Sequence, residues 1–202
     1  MRWFFARWPY VGLAIAAVLA VVLALDPALD DLRTLLLVSL VTLLLHQGEE
    51  YVWPGGFPRM VNRVVFESAE PDRFPLNQRT AWIINVALGW TVYALAAVVG
   101  ENAVWLAIAT LTVSAGNVVA HTLLFNIRGR TLYNPGLATS WLLFVPVIAW
   151  FAVEAAREDW VSAVDVAVGI VLGLVLNYVG VIRMITLLAD RETSYAFPAP
   201  RV

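Results

Sequence analysis

Cysteine is absent, so disulfides and thiolate metal sites are excluded. Lysine is absent too: all 13 basic residues are arginine, a weak mark of a GC-rich prokaryotic genome. Charge is scarce, at 14% of residues, and the formal net charge of −2 leaves no basic footprint for nucleic acid. No internal repeat stands out, which weighs against an inverted-repeat transporter.

What the chain has is apolar surface. Hydrophobic residues make up 61% of it, where a soluble domain is about half apolar. The mean hydropathy is +0.77. A multi-pass protein of the cell membrane follows, with the lipid bilayer as its surroundings. Its 202 residues suffice for one domain.

The expected fold is all-α, a bundle of six transmembrane helices at about 9–25, 32–51, 81–99, 103–125, 136–153 and 160–188. Together they form a single domain over 1–189. The first run also resembles a cleavable signal peptide, with Val22-Leu23-Ala24 as a tolerable site. Read from Met1, it is an uncleaved span. Asp26-Pro27 breaks it, and Asp30-Asp31 places acids at the positive end of the next helix.

Trp53-Pro54-Gly55-Gly56 supplies an interface anchor, a breaker and a turn. In the loop 57–79, Met60, Val61, Val64 and Val65 alternate with polar residues at helical spacing. That fits a short amphipathic helix in the membrane surface, or else a solvated connector. Asn134 and Pro135 fit an N-cap and first turn for the fifth span, which Pro146 should kink. Gly169 and Gly173 form a small-xxx-small packing pattern in the sixth. The tail 190–202 is expected to be loose.

Arginines set the orientation. With six spans and both termini cytoplasmic, Arg2, Arg7, Arg59, Arg63, Arg73, Arg79, Arg128, Arg130, Arg183, Arg191 and Arg201 lie inside. Only Arg33 and Arg157 lie outside, as the positive-inside rule requires.

The second span, LLLVSLVTLLLHQGEEY over 35–51, ends in His46, Glu49 and Glu50. On a helix this puts both carboxylates within about 60° of the histidine. An ionised group near mid-bilayer costs about 2.5–3.5 kcal/mol, so three cannot face lipid. They need a wet cleft, a metal or polar partners. His46 lies about 20 Å into its span, His121 about 27 Å into the fourth and Asn177 about 25 Å into the sixth. Alternating span directions bring all three into the cytoplasmic half. Asn85, Asn117 and Tyr133 fall near the same level. Plainer readings remain. Glu50 can pair with Arg59 or Arg63 in cytoplasmic water, His121 can be a packing residue, and the asparagines can be interhelical glue.

His46-Gln47-Gly48-Glu49-Glu50 is a full match to H-x-x-E-E, and Tyr133-Asn134-Pro135-Gly136 matches Y-x-P-G. With the second intramembrane histidine, His121, the chain resembles the HXXEE family of small bacterial membrane proteins. The resemblance implies a membrane protein with those positions as its signature, and implies no reaction.

The residues themselves suggest chemistry. His46, His121 and Glu49 or Glu50 offer two imidazoles and a carboxylate, a donor set for zinc or non-haem iron. The other glutamate can serve as general base. Asn85, Asn117, Tyr133 and Asn177 can orient these groups or bind a lipophilic small-molecule substrate. A hydrolase, isomerase or oxidoreductase would fit. Metal-free acid–base catalysis by the same groups is the second reading. A proton- or ion-coupled carrier is the third, and a purely structural bundle the last.

Overall fold

The computed structural model describes residues 2–25 and 31–198. The expected break at Asp26-Pro27, Asp30 and the end of the tail with Arg201 lie outside the described residues. The described chain is all-α and contains no strand.

Helix α1 spans Arg2–Leu25, with Pro9 accommodated inside it. It therefore starts seven residues before the expected boundary at 9. Helix α2 spans Asp31–Tyr51. Gly55 and Gly56, at φ +72° and +87°, turn the chain into α3, Phe57–Val64. Asn77 accepts hydrogen bonds from the Arg79 and Thr80 amides, satisfying two free donors at the start of α4, residues 78–99. A tight 3₁₀ turn, Gly100–Ala103, leads to α5, residues 104–129. Helix α6 is Leu137–Arg157 and α7 is Ala163–Leu187. A capping box of Ser162 and Asp165 starts α7.

Several ends differ from expectation. The segment 126–129 is helical, so α5 runs past the expected loop start. Helix α6 runs to Arg157, which pairs with Glu154 at 3.6 Å across one turn, past the end expected at 153. The tail is not loose as far as it is described. Arg191 lies over the Phe74 ring at 4.2 Å, and Phe197 packs against the base of the bundle. The Phe197 amide donates to Asp72, and Gln78 donates to the Tyr195 carbonyl.

Helix α2 is the axis. Thirteen of its 21 residues are buried, including the whole run from His46 to Glu50. Three apolar layers stack along the bundle. Leu35, Leu36 and Ala107 lie in one end layer, Leu43, Leu44 and Phe144 in the middle, and Trp8, Ala81 and Ile185 at the other end. Four helical segments are long and apolar enough to cross a membrane: Arg2–Leu25, Gln78–Gly129, Leu137–Arg157 and Ala163–Leu187. The second contains both α4 and α5. Helix α2 is not among them, because polar residues fill its last turns.

Helix α7 sits at the rim, with only 11% of its most apolar stretch buried. It lies along α5 where Gly169 and Gly173 meet it; a Cβ on Gly173 would stand 2.4 Å from Thr112. The expected small-residue pattern is the seam between these two helices.

Four helices contain wide π-turns: Ile83–Trp90 in α4, Ala120–Leu124 in α5, Ser140–Phe144 in α6 and Leu176–Arg183 in α7. They carry Asn85, His121, Ser140 and Asn177 respectively. Such turns are frequent at functional sites. Pro146 follows directly after the turn in α6, so the helix loosens just before the proline expected to kink it.

Candidate metal centre

His46 and Glu50 stand one turn apart on α2, so they share a face. His121 enters from the π-turn of α5. All three are buried, at 1%, 4% and 0% exposure. Their rings meet edge to face, with His46 and His121 centroids 4.9 Å apart. Glu50 Oε1 lies 3.3 Å from His121 Nε2 and 3.6 Å from His46 Nε2. Glu50 therefore does not face water, nor pair with Arg59 or Arg63.

The surrounding bonds decide which nitrogen of each imidazole is bare. Asn134 Nδ2 donates to the His121 carbonyl at 2.8 Å and to Asn126 Oδ1 at 2.7 Å. That fixes its amide, so Asn134 Oδ1 accepts from His121 Nδ1 at 2.6 Å. Thr139 Oγ1 donates to Glu49 Oε2 at 2.6 Å and so accepts from His46 Nδ1 at 2.9 Å. Both imidazoles are thus protonated on Nδ1, and both Nε2 lone pairs face inward. Neither buried Nε2 has a hydrogen-bond donor. With Glu50 ionised, three acceptors converge.

One ligand atom from each of His46, Glu50 and His121 can lie within 4.8 Å of the others, close enough to share a metal ion. Two atoms bound to zinc at about 2.0–2.1 Å in tetrahedral geometry sit about 3.4 Å apart. The two Glu50 distances bracket that value. The hydrogen-bonded Nδ1 atoms are what metal-binding histidines use to fix their orientation.

Glu49 does not join them, contrary to its expected place among the ligands or as general base. Its carboxylate reaches the other way and fastens the start of α6. Oε1 accepts from Tyr133 Oη at 2.8 Å and from the Ala138 amide at 3.2 Å. Oε2 accepts from the Thr139 amide at 2.7 Å and from its hydroxyl. The helix's unpaired amides and its dipole both favour a carboxylate there. Burial and the neighbouring carboxylate push the Tyr133 phenol up to about 12, so it stays a donor.

Asn134 is likewise not the N-cap expected of it. Gly136, at φ +106°, precedes the helix, and Asn134 is spent on His121. A Cβ on Gly136 would stand 2.2 Å from His121 Cε1. The backbone here presses flat against the imidazole.

The short amphipathic helix expected in the loop 57–79 is α3, with Pro58, Val61 and Asn62 buried and Arg63 exposed. Phe57 stacks on His121, centroids 5.1 Å apart at 26°, and closes the centre from one side. Asn62, with no exposed surface, ties the following loop to the carbonyls of Pro71 and Leu76.

A cavity of about 330 Å³ adjoins the centre. His46 and Glu50 line it, and so do the expected Asn85, Asn117 and Asn177. Tyr133 does not; it lies beyond Glu49. The polar residues that spacing missed are Gln47, Thr139 and Asn134. Gln47 and Asn134 occupy the unspecified positions of H-x-x-E-E and Y-x-P-G, so the motifs carried no signal for them.

No curated protein and no solved structure matches the chain. The family described as "Protein of unknown function with HXXEE motif" matches residues 37–151, more than half of the sequence. That stretch holds all three converging groups, together with Glu49 and the turn that supports them. The chain therefore belongs to the HXXEE family, as the resemblance in its motifs implied.

Proposed function

We propose that the chain is a six-span protein of the cell membrane, with both termini cytoplasmic, and that it is a metal-dependent enzyme. His46, Glu50 and His121 hold one divalent cation, zinc or iron, and a lipophilic substrate reaches it from the adjoining cavity. The observation that carries this reading is the meeting of two bare Nε2 atoms and a carboxylate in a buried site. A cation satisfies all three at once.

Three protein ligands leave a coordination position open, the arrangement of catalytic rather than structural zinc. When bound, the metal would act as a Lewis acid on a substrate oxygen or lower the pKa of a bound water. The protein's own part is to orient. Asn134 and Thr139 hold the imidazoles, Glu49 holds Thr139, and Phe57 shields His121 from water. Metal-free acid–base work by these groups is less well supported, because Glu49 is fully occupied with α6. The carrier is also less well supported: Leu32, Leu35, Leu36 and Ala107 form an apolar layer beyond the site.

Metal analysis of the purified protein tests the reading. One zinc or iron per chain is expected, with affinity lowered at least about 100-fold in His46→Ala and His121→Ala. Metal-free preparations from metal-replete cells, with both variants as stable as the parent, would defeat it.

A further inference from the structure

Neutral imidazoles add no charge, so a divalent cation on His46, Glu50 and His121 leaves the site one net positive charge. Glu50 is the one charged side chain among the described residues that line the adjoining cavity; no arginine lines it. Glu49 does not line it, and its carboxylate is held by the amides of Ala138 and Thr139. The walls are largely hydrocarbon, including Val113, Leu174, Val181 and Ile182. A charge left uncompensated in such surroundings is costly.

The lining residues also keep protons to give. Trp90 Nε1 can only donate, and it donates to Gln47 Oε1 at 2.7 Å. Gln47 Nε2 then donates to Asn85 Oδ1 at 3.0 Å. Asn85 Nδ2 donates to the Tyr51 hydroxyl at 3.1 Å and to the Ala81 carbonyl at 2.8 Å. The indole sets the direction of this chain, and it ends on a phenol that accepts. The Tyr51 proton has no acceptor among the described residues. Gln47 Nε2 and Asn117 Nδ2, which serves the Val113 carbonyl, each keep one amide proton as well. Gln47, Tyr51, Asn85 and Asn117 all line the cavity. Trp8, Phe57 and Phe197 pack around the Tyr51 ring, at centroid distances of 4.7, 6.5 and 6.3 Å.

We infer that the metal-loaded centre seats a single-chain fatty carboxylate in this cavity, with Tyr51 donating to its head. A carboxylate cancels the net charge and accepts the phenol's proton as a charge-assisted bond. An ester or an alcohol brings no charge to cancel it and binds more weakly, and an ammonium head adds to it. Without the cation, a carboxylate meets Glu50 with no cationic side chain to offset the repulsion. Binding is therefore conditional on the metal, and by linkage the carboxylate tightens the metal by the same factor. The volume of about 330 Å³ is at the lower end for small-molecule sites, which span about 300–1,000 Å³, and suits one chain rather than two. The inference rests on the proposed metal centre, and the test separates the two.

Tritiated laurate is the probe, bound to the full chain in detergent with and without added zinc, and zinc uptake is measured on the same samples. Zinc should raise laurate affinity at least about tenfold, and laurate should raise zinc affinity by the same factor. Dodecanol and methyl laurate should gain less than about threefold from zinc, and dodecylamine nothing. Tyr51→Phe should keep its zinc, while its laurate affinity in the presence of zinc falls at least about fivefold. In His121→Ala, zinc should give laurate no advantage, which separates binding at the centre from a zinc soap in the micelle. Laurate bound equally with and without zinc would overturn the inference. So would an equal gain for dodecylamine, an equal gain in His121→Ala, or unchanged laurate affinity in Tyr51→Phe. Protein that takes up no zinc would sink the metal centre and this inference together. Zinc uptake with no effect on laurate would sink this inference alone.

Discussion

Glu49→Ala should lower the free energy of unfolding by about 3 kcal/mol or more, while Glu50→Gln changes it by less than about 1 kcal/mol. Metal affinity should show the opposite order, falling at least about 100-fold in Glu50→Gln. The two glutamates are neighbours in sequence, yet their work is divided. Removing the Glu49 carboxylate strands four donors: the Tyr133 hydroxyl, the Ala138 amide, and the Thr139 amide and hydroxyl. Tyr133 and Ala138 are exposed and can turn to water, so the cost falls mainly on the two Thr139 donors, at about 1–3 kcal/mol each. Replacing Glu50 by its isosteric amide keeps the volume and the packing but removes an anionic ligand. Denaturant titration in detergent and metal titration on the same preparations read both effects. If Glu49→Ala proves as stable as the parent, or binds metal worse than Glu50→Gln, the division of labour is wrong.

Gly136→Ala is expected to be the most damaging single methyl group that can be added to this chain. Two penalties combine. The residue sits at φ +106°, where an L side chain is strained by about 1–3 kcal/mol. The added carbon would also stand 2.2 Å from His121 Cε1, so the imidazole or the turn must move. Overpacking of this kind costs about another 1–3 kcal/mol. A midpoint lowered by several degrees is expected, together with loss of stoichiometric metal, because His121 cannot hold its position. Gly56→Ala is a useful control. It shares a positive φ, at +87°, but a Cβ there would meet nothing within 4 Å. It should be destabilised by strain alone and keep its metal. Equal metal loss in both would show that backbone strain, not contact with His121, decides the outcome.

How much of this was legible beforehand varies by residue. The long apolar helices were readable because lipid favours long apolar runs, and four segments, Arg2–Leu25, Gln78–Gly129, Leu137–Arg157 and Ala163–Leu187, show them plainly. The meeting of His46, Glu50 and His121 was readable from spacing on α2 plus a count of depth along α5. The roles of the two glutamates were not. A three- or four-residue step from His46 leaves either carboxylate near it, and only the arrival of α6 decides which one turns away. Asn134 misled for a related reason. Its position before Pro135 suits an N-cap, but local propensity gave way to a buried imidazole that needed an acceptor. The π-turns left no periodic signal, since each adds one residue to a turn inside an otherwise continuous apolar run.

Helix α7 has a consequence for any kinetic measurement. Leu174 and Ile182 line the cavity and are also 58% and 45% exposed on the rim of the bundle. On the six-span reading proposed above, the mouth of the cavity opens sideways, toward the hydrocarbon. A molecule arriving there has already partitioned into the bilayer, so occupancy follows its mole fraction among the lipids and not its bulk concentration. Diluting the protein in inert lipid at constant total ligand would then slow turnover, the behaviour of surface dilution.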